Sequence, residues 1–155
     1  MVLFDTAALV DEAAARDWYA RRAEDWDCDC LRCRNYLALA RSQRLPQELL
    51  RLLDGFGLPP EKADYICMLV RPDNWRERGC PYQIMFRLPG QMLREHDPET
   101  PWPWAAFEGD RHEPYYGDDF PKPFIALNIV LELPWVLEEA PDPDLEISSL
   151  GWDKP

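Results

Sequence analysis

The run Phe124 to Leu133 leaves a chain little choice of structure. Ile125, Leu127, Ile129, Leu131 and Leu133 recur at every second position, so an extended backbone points all five the same way. The opposite face carries Phe124, Ala126, Asn128, Val130 and Glu132 and is expected to be partly exposed. A register slip of one residue would exchange the two faces, so the core face of this strand is well specified. Such a strand needs neighbours, and the sequence offers them. Asp64 to Val70 is a short β-rich run, and Tyr82, Ile84, Phe86 and Leu88 alternate with Gln83, Met85 and Arg87. The polar segment Asn74 to Gly79 between those two runs makes them a hairpin. A further short strand is expected around Ala105 to Glu108.

The N-terminal third has a different period. Ala7, Val10, Ala14 and Trp18 fall at steps of three and four, which predicts a helix capped by Asp5 or Thr6. A second helix is expected from near Leu31 to Ser42, with Cys33, Tyr36, Leu37 and Ala40 on one face. Pro46 suits the first turn of a third, which buries Leu49, Leu52, Leu53 and Phe56 and ends at Gly55 or Gly57. The fold class is therefore α+β: N-terminal helices packed on one face of a small antiparallel sheet of about four strands. Residues 1–155 read as a single domain, with 1–57 mainly helical, 63–137 mainly strand and loop, and 138–155 an acidic tail. Pro89 to Pro123 is predicted to be a long irregular connection, since it holds seven of the sixteen prolines.

Charge narrows the partners. Residues 1–80 carry 12 basic and 14 acidic side chains, and residues 81–155 carry 5 and 15, so most of the net charge of −12 lies in the second part. Nucleic acid and anionic membrane are thus not expected as partners, and a basic protein fits the acidic part better. No apolar run approaches the 18 or so residues of a membrane span. Met1-Val2-Leu3-Phe4 is followed at once by Asp5, which is not the start of a signal peptide, and an odd number of closely spaced cysteines suits reduced thiols. A cytoplasmic location is expected.

Three of the five cysteines fall within six residues, in Trp26-Asp27-Cys28-Asp29-Cys30-Leu31-Arg32-Cys33-Arg34-Asn35-Tyr36. This C-x-C-x2-C spacing can gather three sulfurs on one small loop leading into a helix. Zinc is held by four ligands, with thiolate sulfur at about 2.3 Å. Cys28, Cys30 and Cys33 supply three candidates, and Cys80, His96, His112 or a carboxylate could supply the fourth. Asp25, Asp27 and Asp29 oppose thiolate formation, while Arg32, Arg34 and a helix N-terminus favour it. The plainer alternative is three small residues packed in a tight turn, and Cys67 reads as core.

The W-D-C-D-C-L-R-C-R-N-Y run, the segment Phe56-Gly57-Leu58 and the closing Leu133-Pro134-Trp135-Val136-Leu137 resemble an uncharacterised group of small bacterial proteins. Cys28, Cys30, Cys33 and Asn35 match the pattern of that group better than Cys80 does. The resemblance spans most of the chain and implies no activity.

His96 and His112 each have acidic neighbours but sit in polar irregular sequence, where exposed loop histidines are common. The aromatic cluster Trp102, Trp104, Tyr115 and Tyr116 has the character of partner anchors, or of rings covering an open sheet. No nucleophile elbow, phosphate-binding glycine loop or zinc-protease histidine pair is present. Three readings stay open. The first is a non-enzymatic protein-interaction module with a structural cysteine cluster. The others are a zinc-stabilised binding module on Cys28, Cys30 and Cys33, and a thiol-based redox or catalytic protein.

Overall fold

A computed structural model of the chain describes residues 1–24, 26–109 and 118–143. The described residues form six strands and four α-helices. They are β1 (Val2–Leu3), β2 (Thr6–Val10), α1 (Glu12–Arg21), α2 (Leu31–Arg41), α3 (Gln47–Phe56), β3 (Tyr65–Met68), the short α4 (Trp75–Arg78), β4 (Cys80–Arg94), β5 (Ala105–Gly109) and β6 (Phe124–Leu133). All strand pairs are antiparallel, in the order β1-β2-β4-β6-β5, and β3 pairs with the first half of β4. The architecture is α+β, and among the described residues no helix is long and apolar enough to cross a membrane.

β6 forms over the residues its alternation defines, and Ile125, Leu127, Ile129 and Leu133 are buried. The facing row on β4 is Cys80, Tyr82, Ile84, Phe86 and Leu88, each fully buried. The three longer helices all pack on this face. Tyr19 of α1 meets Phe86, Tyr36 of α2 meets Tyr82, and Phe56 of α3 meets Phe107, with ring centroids 5.9, 6.5 and 6.0 Å apart. The expected hairpin is present, with Ile66 opposite Ile84. The other face of β6 is less open than the sequence suggested, because β5 and neighbouring side chains bury Ala126 and Asn128.

Two expectations are corrected. Val2–Leu3 and Thr6–Val10 are two strands joined by a turn, not the start of a helix. Helix α1 begins only at Glu12, where the Asp11 carboxylate accepts the Ala14 N–H at 3.0 Å. The alanine-rich stretch suits a helix by propensity, but the second half of β4 offers it a ladder partner, and that pairing prevails. The second correction follows from the first. Pro89 to Arg94 is not irregular; it continues β4 and pairs with β2, which brings the sheet to six strands rather than four. Gly90 permits this. A Cβ there would lie 2.0 Å from the Leu9 carbonyl oxygen, so β2 can approach only a glycine. The polar turn before β4 also contains one helical turn, α4.

A polar clamp joins α2 to the sheet. Buried Asn35 donates from Nδ2 to the Pro134 carbonyl at 3.1 Å and accepts the Val136 N–H at 2.8 Å. It thereby holds the chain leaving β6 against α2. Tyr82 donates its hydroxyl to the Arg32 carbonyl at 2.8 Å. Asn35→Ala leaves the Val136 amide and Pro134 carbonyl without their partner. The expected loss is about 2–3 kcal/mol in the free energy of urea unfolding. A loss below about 1 kcal/mol would mean the clamp is incidental.

Candidate metal centre

Residues 26–30, just before α2, form no helix or strand, and the last of them, Cys30, is the helix N-cap. Cys30 has an extended backbone (φ −70°, ψ 157°), and its carbonyl accepts the Arg34 N–H at 3.0 Å. Its sulfur takes the place usually held by a serine or aspartate oxygen and accepts the Cys33 N–H at 3.5 Å. One turn of helix then sets Cys33 beside it, while the irregular chain before the cap brings Cys28 to the same point. The three sulfurs lie within 4.8 Å of one another. Cys28 and Cys30 are exposed, and Cys33 is 4% exposed.

The electrostatics of the three thiols differ. Burial works against charge on Cys30. It is outweighed by the Cys33 amide, the neighbouring Cys28 and Cys33 sulfurs and the Arg32 amide, so the Cys30 thiol is held below its ordinary value. Burial pushes the Cys33 thiol up to about 12, helped by the sulfurs of Cys28 and Cys30 and opposed by the Trp26 indole. Trp26 Nε1 is buried and meets no acceptor within hydrogen-bonding geometry, so its effect on Cys33 is that of a dipole near sulfur. The amides of the first helical turn thus supply positive partial charge on one side of the sulfur group. Beside it is an open cleft of about 430 Å³ lined by Trp26, Asp27, Cys28, Arg34, Arg41 and Leu137 among others.

The donor set suits a soft, tetrahedral ion. Two sulfurs each about 2.3 Å from one zinc stand roughly 3.8 Å apart, so the three need to draw in by at most about 1 Å. Cys80 is not part of the group. It is buried at the start of β4 opposite Leu133, and its side chain shares the helix-facing row with Tyr82. Burial raises the Tyr82 phenol, and the nearby sulfurs of Cys80, Cys33 and Cys30 add to that rise. Among the described residues, Cys28, Cys30 and Cys33 are the one such group of three or more His, Cys, Asp or Glu.

The other candidates have separate positions. Trp104 is half-buried against the core, with its ring 5.9 Å from Phe4, whereas Trp102 is 38% exposed. Tyr115, Tyr116 and His112 lie outside the described residues, as does most of the tail. His96 Nδ1 is 2.7 Å from the Asp5 carboxylate, and its ring meets Trp102 edge-on at 4.8 Å.

One polar centre was not anticipated. Asp64, with a side chain only 2% exposed, sits where β3 begins and extends its ladder by a side chain. Its Oδ2 accepts the Arg87 N–H at 2.9 Å and the Tyr19 hydroxyl at 2.5 Å, and its Oδ1 takes Arg22 at 2.6 Å and Arg87 at 3.0 Å. Arg87 also holds Asp118 at 2.7 Å, which keeps that carboxyl below its ordinary value, and it lies 4.4 Å from the Phe120 ring centroid. Burial and then the Asp64 charge raise the Tyr19 phenol well above its usual range. These groups answer one another across α1, β4 and the chain before β6, so the centre ties elements together. The available sequence signal was an arginine at position 87 inside a strongly apolar strand.

Compared with known proteins, the chain matches no family model, no curated protein and no solved structure.

Exposure orders the thiols by reactivity. In the reduced, metal-free chain, iodoacetamide is expected to label Cys28 and Cys30 well before Cys33 and Cys80, read by peptide mapping at short times. Early labelling of Cys33 would contradict its burial within the first turn of α2.

Proposed function

We propose that this chain is a metal-binding module that holds one zinc ion on Cys28, Cys30 and Cys33. The observation that carries the reading is the convergence of three sulfurs from six residues of chain to within 4.8 Å. The amides at the N-terminus of α2 favour negative charge on the Cys30 sulfur, which is what a ligand thiol must carry when it binds zinc. The ion would fasten the irregular segment containing Cys28 to the first turn of α2. Three sulfurs leave one tetrahedral position for a ligand from solvent or a partner, and two of the three sulfurs are exposed. The reading as a surface for a basic partner rests on less. Trp104 is engaged with Phe4, and Trp102 is the exposed aromatic of the expected cluster within the described residues.

Metal content tests this directly. Protein purified without chelator is expected to carry about one equivalent of zinc, and cobalt loading should give the sulfur-to-metal charge-transfer band of thiolate ligation. Cys28→Ser and Cys33→Ser should lose the band, while Cys67→Ser should keep it. Zinc at 100 times its dissociation constant would add about 2.7 kcal/mol to stability. Less than about 0.2 equivalents with no cobalt band would overturn the proposal.

A further inference from the structure

Cys30 and Cys33 form a C-x2-C pair across the first turn of a helix, and the two sulfurs are placed unequally. Cys30 is exposed at the N-cap position, while Cys33 lies beneath it at 4% exposure. The Cys33 N–H points to the Cys30 sulfur at 3.5 Å, and the two sulfurs are within 4.8 Å. An incoming disulfide can therefore reach Cys30 and cannot reach Cys33. The two sulfurs lie within 4.8 Å and a disulfide needs about 2.05 Å, so side-chain rotation with a small shift of the N-cap residue would join them. Cys28 is exposed like Cys30 but is neither on the helix nor at its cap.

We propose that Cys30 and Cys33 act as a thiol–disulfide exchange pair toward low-molecular-weight disulfides, with Cys30 attacking and Cys33 resolving. In the first step the Cys30 thiolate attacks one sulfur of the substrate. The substrate S–S bond breaks, a mixed disulfide forms on Cys30, and the first substrate thiolate leaves and takes up a proton. In the second step Cys33 attacks the Cys30 sulfur as its proton passes to the departing substrate thiolate. The mixed disulfide breaks, the Cys30–Cys33 bond forms, and the second substrate thiolate leaves and is protonated. The protein dithiol loses two electrons, and the substrate disulfide gains them and becomes two thiols. This goes beyond the zinc reading and does not depend on it. It does restrict it, because two sulfurs joined to each other no longer serve as thiolate ligands.

Glutathione disulfide is the probe. Reduced, chelator-treated full-length chain is equilibrated in buffers of rising oxidised-to-reduced glutathione ratio, acid-quenched, alkylated and mapped by mass spectrometry. The expected result is the loss of two alkylatable thiols and a peptide joined through Cys30 and Cys33. Cys33→Ser, or Cys33→Ala if serine does not fold, should instead accumulate glutathione on Cys30. A disulfide from Cys28 to Cys33, glutathione trapped on Cys28, or retention of all five thiols would overturn the proposal. A parallel arm adds zinc before the oxidant. Suppressed oxidation supports both readings; oxidation that ignores zinc counts against the zinc site and leaves the exchange pair standing.

Discussion

The placement of the first turn of α2 governs the rest of the structure. A phenol on the central strand reaches across the core to the Arg32 carbonyl, and Arg32 lies between Cys30 and Cys33. Three residues further on, Asn35 takes both a carbonyl and an amide from the chain leaving β6. Breaking either contact exposes a buried polar group, so the turn cannot rotate without cost. Everything that makes the cysteines a group depends on that fixed turn: the cap at Cys30, the depth of Cys33 and the return of Cys28. The cysteine run and the Leu133-Pro134-Trp135-Val136-Leu137 segment meet at Asn35 through this clamp.

A second polar centre does similar work between α1 and the sheet. Asp64 accepts from α1 and from β4 at once, and Arg87 extends the link to Asp118. A buried ion pair adds little stability over apolar packing of the same shape, but losing one partner strands the other, so the arrangement enforces one geometry. The core between the two centres is aromatic and aliphatic, with Tyr19, Tyr82, Phe86 and Phe107 fully buried. Residues 1–80 are nearly neutral and hold the sulfur group, while most of the net charge lies in residues 81–155.

Period-two patterning made β6 and the hairpin legible, and α2 and α3 were legible from their apolar faces and the glycine stop at Gly57, which is left-handed (φ +70°). The N-terminal strand was not, because Ala7, Ala8 and Val10 fit either period and only the distant Gly90 decides between them. The same distance in sequence hid the extension of β4. The cysteine group could be read from spacing, yet only the fold places Cys80 outside the group of three close sulfurs. The Asp64–Arg87 centre was not legible because burial of a charge is set by its partners, here contributed from four separated segments.

The proposed zinc site is tested most directly by X-ray absorption at the zinc edge of the loaded chain. The account predicts three sulfur scatterers at about 2.3 Å and one lighter donor. A first shell made only of nitrogen and oxygen would contradict it.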